Sequence, residues 1–161
     1  MERLWAPWRL SYVASGKPPA ADDACFICEG LADSDDRARL IARRANHSVV
    51  ILNRFPYNNG HLLVAPKSHK AKLEDLTNAE SLELQQLLAE LVQVLDKTIH
   101  PDGYNIGLNL GRVAGAGLPG HLHWHLVPRW NGDTNFMPVV ADHRVIVQSL
   151  DSFYDLLAAN W

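Results

Sequence analysis

Two cysteines in 161 residues leave no material for a disulfide framework, so the chain must hold itself together by packing. Long apolar runs are also missing. None approaches the roughly 20 residues needed to cross a bilayer, and a membrane is not an expected partner. Charge of one sign is scarce: 15 Lys and Arg stand against 18 Asp and Glu, for a formal net charge of -3 and a pI near 6.2. That balance lacks the broad positive field with which nucleic-acid binders neutralise phosphates, so no nucleic-acid partner is expected. A small anionic ligand would have to be held by a local site. The first residues, MERLWAPWRLSYVASG, carry Arg3 and Arg9 and are broken by Pro7, which argues against a signal peptide and leads us to expect a cytoplasmic protein.

What is present suffices for one domain. A hydrophobic content of 47% in a chain of this length can fill a single core without a second module. Residues 14–24, ASGKPPAADDA, separate an aromatic N-terminal arm (1–24 with this linker) from a main body over 25–161. SVVILNR (48–54) and HLLVAP (61–66), joined by the turn-rich FPYNNG, predict a β-hairpin. Thr77 followed by Glu80 makes a capping box ahead of Leu84, Leu87, Leu88, Leu91 and Leu95, whose spacing predicts a helix over 78–98. Pro101 and Gly103 end it. YNIGLNLG (104–111) and HLHWHLVPRW (121–130) read as strands around the loop RVAGAGLPG, and an amphipathic helix over about 149–159 closes the chain. Strands and helices in runs predict an α+β fold, an antiparallel sheet with helices packed on one face.

The chemistry concentrates in His121-Leu122-His123-Trp124-His125. On a strand these three imidazoles share a face, while Leu122, Trp124 and Leu126 turn to the core. Three histidines in register after a glycine-rich loop fit poorly with plain surface residues. They can bind a catalytic metal as a set, or supply a nucleophile and an acid to a phosphate. Backbone N–H groups of Ala114-Gly115-Ala116-Gly117 offer a cradle for phosphate oxygens, which favours the second reading. Cys25 and Cys28 form a C-x-x-C. In a reducing compartment that spacing reads as half a metal site or as a redox pair, and a thioredoxin-like role would need a strand-to-helix context opening at the first cysteine, which we do not read here.

H-L-H-W-H-L-V resembles the H-φ-H-φ-H-φ-φ signature (φ apolar) of the histidine triad (HIT) superfamily. ILNRFPYNNGHLLVAPKSHKAKLEDL, WAPWR, YNIGLNLG and HLHWHLVPRWNGDTNF extend the likeness over most of the chain and resemble the bacterial diadenosine tetraphosphate phosphorylase-like branch. The resemblance implies one HIT-like catalytic domain that cleaves nucleotides, foremost dinucleoside polyphosphates of adenosine, through a covalent nucleotidyl-histidine. Nucleoside phosphoramidates and adenylyl-sulfate are the alternative substrates, and a nucleotide-binding module without turnover is the alternative of another class. It implies His123 as nucleophile, its tautomer fixed by a carbonyl on the motif strand, and His125 as general acid or leaving-group contact. His61 would support the triad, Asn53 and Asn109 would contact the nucleotide, and Gly115 and Gly117 would bind phosphate. The Ser or Thr that relatives carry in the phosphate loop is replaced here by Gly117-Leu118-Pro119-Gly120, so Arg112 or Lys67 becomes a candidate substitute contact. Zinc-containing relatives combine C-x-x-C with a histidine after P-K-x and the first triad histidine. The implied ligands are therefore Cys25, Cys28, His69 and His121, a closed structural Zn²⁺ site, with no catalytic metal required. A homodimer is implied as well, with the aromatic arm, Leu156, Leu157 and Trp161 as interface candidates.

Overall fold

The computed structural model describes residues 25–134 and 146–161, so the aromatic arm with Trp5 and Trp8 lies outside the described residues. Helix α1 (Phe26–Ala32) is followed by strands β1 (Ile41–Arg44), β2 (Ser48–Leu52) and β3 (Leu62–Pro66), helix α2 (Asn78–Thr98), strands β4 (Gly103–Leu108) and β5 (Trp124–Arg129), and helix α3 (Leu150–Asn160). The five strands form one antiparallel sheet in the order β1-β2-β3-β5-β4.

The expected hairpin is β2–β3, closed by the amide of Asn53 donating to the carbonyl of His61 at 3.0 Å. Its strands read as unbroken apolar runs because both faces are covered. Val50, Leu52, Leu62 and Val64 pack with the leucines of α2 and with Phe153 and Leu157 of α3. Val49, Ile51, Leu63 and Ala65 turn the other way and pack with Cys25, Ile27 and Ile41.

Helix α2 starts where its chemistry predicts. Thr77 Oγ1 accepts from the Glu80 amide, and the Glu80 carboxylate accepts from the Thr77 amide at 2.8 Å. Leu84, Leu87, Leu88, Leu91 and Leu95 are buried, each contributing about 1.5–3 kcal/mol relative to exposure.

Three differences from the sequence reading matter. A helix does open at the first cysteine: Cys25 caps α1, its Sγ accepting from the Cys28 amide, and α1 covers the sheet face opposite the two long helices. The motif strand begins only at Trp124, so His121 and His123 sit on the segment leading into it rather than within the ladder. Finally, Leu157 is fully buried in the chain's own core, with Leu156 and Trp161 packed beside it. Trp161 Nε1 donates to Glu90 and its ring lies under Arg43, so these residues have internal contacts, with Leu156 and Trp161 still partly exposed.

Candidate active site

Pairing of β5 with β3 decides where the triad points. His125 lies opposite Leu63 and Trp124 opposite Val64, and opposed residues of an antiparallel pair share a face. Trp124 therefore joins the helix-covered core, and His125 projects from the opposite face. His123 follows it there, the two rings meeting edge-on with centroids 5.2 Å apart. Leu122 and Leu126 are buried, as their alternation with the histidines requires.

His123 is buried, and its Nδ1 lies 2.8 Å from the carbonyl oxygen of His121. Only a protonated Nδ1 makes that hydrogen bond, so the neutral ring carries its lone pair on Nε2. Burial pushes the pKa of His123 down, the His121 carbonyl opposing this in part, and the ring is held neutral at pH 7.

A second chain of hydrogen bonds fixes His125. The Tyr57 amide donates to His61 Nδ1 at 3.0 Å, so His61 carries its hydrogen on Nε2 and donates it to His125 Nδ1, 2.9 Å away. The one hydrogen of neutral His125 is thereby placed on Nε2, which is buried and has no hydrogen-bond partner among the described residues. A donor of this kind, desolvated and unsatisfied, is what a ligand oxygen would meet. Burial first and the neighbouring His123 second lower His125 to about 4, and burial with the charges of His125 and His123 lowers His61 to about 3.

Tyr57, which sequence reasoning passed over, belongs to this group: its ring stacks on His125 at 5.6 Å and tilts onto His61 at 4.6 Å. Its place in the hairpin turn, four residues before His61, was the available signal. Asn53 is brought to the same spot. Its Nδ2 lies 3.2 and 3.3 Å from the two ring nitrogens of His61, while its Oδ1 accepts from the Phe55 amide. Asn109 approaches the glycine loop, its Nδ2 lying 3.9 Å from where a Cβ on Gly115 would sit.

The loop itself modifies the cradle expectation. Arg112–Ala114 form a 3-10 turn, and the amides of Gly115 and Ala116 are spent on the carbonyls of Arg112 and Gly111. Gly115 is needed for its left-handed backbone, φ 93°, rather than for a free N–H. Gly117 is exposed, with nothing within 4 Å of an added Cβ. Arg112 is exposed on the turn.

His121 turns away from its triad neighbours into a separate cluster. Its Nε2 donates to the Pro66 carbonyl at 2.8 Å, aiming Nδ1 at Cys25 Sγ (3.2 Å) and Cys28 Sγ (3.6 Å), and His69 Nδ1 lies 3.3 Å from Cys28 Sγ. All four donors fall within 4.8 Å of one another. A tetrahedral ion with metal–sulfur and metal–nitrogen bonds near 2.3 and 2.0 Å has sulfur–nitrogen edges of about 3.5 Å, and the three sulfur–nitrogen separations lie within about 0.3 Å of that. Burial and the adjacent Cys25 push Cys28 up to about 11, a cost that a divalent cation reverses by binding both thiolates. Cys25, Cys28, His69 and His121 thus make a site able to hold a metal. Three triad histidines sharing one catalytic ion do not fit this arrangement, because His121 faces the cysteines and His123 Nδ1 faces its own backbone.

Comparison with known proteins agrees with this geometry. A family model described as the HIT domain matches residues 38–132. The chain is 38% identical to the AP-4-A phosphorylase of Mycobacterium tuberculosis, over the whole of this chain and 85% of that protein. It is 34% identical to the adenosine 5'-monophosphoramidase of Schizosaccharomyces pombe, over 67% of this chain and 76% of that protein. Among solved structures, a zinc-bound histidine triad family protein from Mycobacterium smegmatis shares the fold, with a TM-score of 0.68 and 24% identity over 87% of this chain and 94% of that one. On the match across its central residues and the full-length similarity around it, the chain belongs to the HIT family.

Proposed function

We propose that the protein is a nucleotidyl hydrolase or transferase acting on adenosine nucleotides, foremost dinucleoside polyphosphates, through a covalent nucleotidyl-histidine. The observation that carries this reading is the 2.8 Å hydrogen bond from His123 Nδ1 to the His121 carbonyl, which leaves a neutral Nε2 nucleophile at pH 7. Nε2 of His123 bonds to the α-phosphorus as the bond to the leaving oxygen breaks. His125 Nε2–H, held by His61, donates a hydrogen bond to that oxygen. Water, inorganic phosphate or another acceptor then attacks phosphorus and frees His123.

A polyphosphate leaves as an anion and needs only that hydrogen bond, whereas an amine also needs a proton, which a neutral His125 gives up reluctantly. This favours polyphosphates over phosphoramidates. The similarity to a monophosphoramidase supports the second substrate class. Asn53, Asn109 and Gly117 contact the nucleotide in this reading, and His61 is a positioning residue.

Zinc is the ion we assign to Cys25, Cys28, His69 and His121, because two sulfurs and two nitrogens in a closed set suit structural Zn²⁺. It supplies a staple between α1 and the motif, not chemistry on the substrate. A homodimer through the exposed edge strand β4, where Ile106 and the following Leu110 stand open, completes the proposal. A cytoplasmic location fits two cysteines that form no disulfide.

The test is incubation of wild type and His123→Ala with diadenosine tetraphosphate, with and without inorganic phosphate. ADP formed only with phosphate means phosphorolysis, and AMP with ATP in either buffer means hydrolysis. Undiminished turnover in His123→Ala would remove the nucleophile assignment, and no wild-type turnover would shift the substrate to phosphoramidates or adenylyl-sulfate.

A further inference from the structure

Glu80 has more hydrogen bonds than a helix cap requires. The capping box needs its carboxylate only for the Thr77 amide, yet the same group also accepts from Ser68 Oγ at 2.5 Å and Lys70 Nζ at 2.6 Å. It is buried, with 9% side-chain exposure, and these donors hold it down at about 2, with Lys70 the largest influence and Ser68 the next. A buried carboxylate meeting a lysine is expensive to desolvate and has no evident need at a helix start. The position of its partners supplies the reason. Ser68 and Lys70 are the two neighbours of His69.

His69 is only lightly packed, its ring lying beside Gly120, where an added Cβ would stand 3.4 Å from Nε2. Its residue is exposed, and its ring meets His121 edge-on at 5.0 Å and Cys28 Sγ at 3.3 Å. With so few contacts on the ring, its location leans on the backbone on either side, which is what Glu80 grips. The same segment is tied to the motif at both ends: the Pro66 carbonyl accepts from His121 Nε2, and the Lys70 carbonyl accepts from the Leu122 amide at 2.7 Å. Glu80 thus reaches, through one segment, both a member of the four-donor cluster and the residue between His121 and His123.

We infer that Glu80 is a positioning residue: through Ser68 and Lys70 its carboxylate holds residues 66–70 so that His69 is presented to the metal cluster and the lead-in to β5 is kept in register. This rests on the reading that the cluster holds zinc. Partners that orient metal ligands commonly change metal affinity by about 10–100-fold when removed. Ser68→Ala and Lys70→Met remove the grip while leaving the Thr77–Glu80 cap intact. Glu80→Gln preserves a capping-box residue but loses the charge that Lys70 meets. Ser149→Ala removes the N-cap of α3, whose hydrogen bonds stay within that helix, and serves as a variant that is less stable for an unrelated reason.

Full-length protein loaded with zinc is mixed with a chromophoric chelator, and the rate of zinc transfer is followed. Cobalt(II)-loaded samples report ligand geometry by their visible absorption. Ser68→Ala, Lys70→Met and Glu80→Gln are expected to release zinc about tenfold faster or more, with altered cobalt spectra, and Ser149→Ala at the wild-type rate. Wild-type rates in Ser68→Ala and Lys70→Met, or equal acceleration in Ser149→Ala, would overturn the inference. A wild type that takes up no stoichiometric zinc removes the metal reading itself, and this one with it.

Discussion

His61 Nε2 lies 2.9 Å from His125 Nδ1, and because the Tyr57 amide occupies His61 Nδ1, the hydrogen between the two rings belongs to His61. One backbone N–H in the hairpin turn thereby decides, through His61, which nitrogen of a residue 64 positions beyond His61 is a donor. His61→Ala frees His125 to exchange tautomers. Activity on dinucleoside polyphosphates is expected to fall by about 10²–10⁴-fold, mainly in kcat, the scale on which general acids and the partners that fix a catalytic histidine's tautomer act. Steady-state kinetics check this, and an unchanged kcat would separate His61 from the site.

His125 itself should matter in proportion to the difficulty of the leaving group. His125→Ala is expected to lose roughly 10²–10⁴-fold with a poor oxyanion leaving group and far less with an activated one. Rates across a series of adenylate esters measure the slope. Equal losses for all members would contradict a contact to the leaving oxygen.

The buried histidines also make stability depend on pH. Because the folded values of His61 and His125 lie at about 3 and about 4, the unfolded chain binds more protons than the folded one once the pH falls below 6.5. Stability is therefore fully present above pH 6.5 and is lost as the pH falls toward 4, by up to about 1.4 kcal/mol per pH unit for each group. Glu80 acts at lower pH, being depressed from 4.5 to about 2. Thermal melts from pH 7 to 4.5 should show this decline, with a shallower slope in His61→Asn. A wild-type Tm that does not change over that window would contradict the histidine assignment.

Gly60 precedes His61 with φ 74°, and an added Cβ would stand 2.9 Å from Ile99 Cδ1 and 3.1 Å from Pro128 Cγ. Gly60→Ala combines backbone strain with a clash, and we expect a loss of about 1–3 kcal/mol together with reduced kcat, since His61 must shift. Leu91→Ala in α2 should cost about 2–5 kcal/mol and leave the kinetics of the folded fraction unchanged. Chemical denaturation alongside kinetics separates the two, and a Gly60→Ala protein of wild-type stability would refute the strain argument.

Much of this was legible in the sequence, for identifiable reasons. The capping box and leucine spacing of α2, the apolar runs of β2 and β3, and the alternation in H-L-H-W-H are local patterns, and local patterns survive folding. Phe26–Ala32 hid because a seven-residue helix capped by cysteine carries little periodic signal and a glycine within it. Ile41–Arg44 hid because a four-residue edge strand ending in two arginines resembles a polar loop. The spending of the Gly115 amide on Arg112, the turn of Tyr57 onto His125 and the grip of Glu80 on Ser68 and Lys70 depend on contacts between distant segments, which spacing along the chain does not encode.

The central claim is the covalent bond to His123, and intact-mass spectrometry of enzyme quenched within the first turnovers on diadenosine tetraphosphate tests it most directly. The account predicts a single nucleotidyl adduct on wild type, mapped by peptide analysis to His123 and absent from His123→Ala. An adduct that persists in His123→Ala, or rapid wild-type turnover with no adduct under conditions where a nucleotidyl-histidine standard survives, would contradict it.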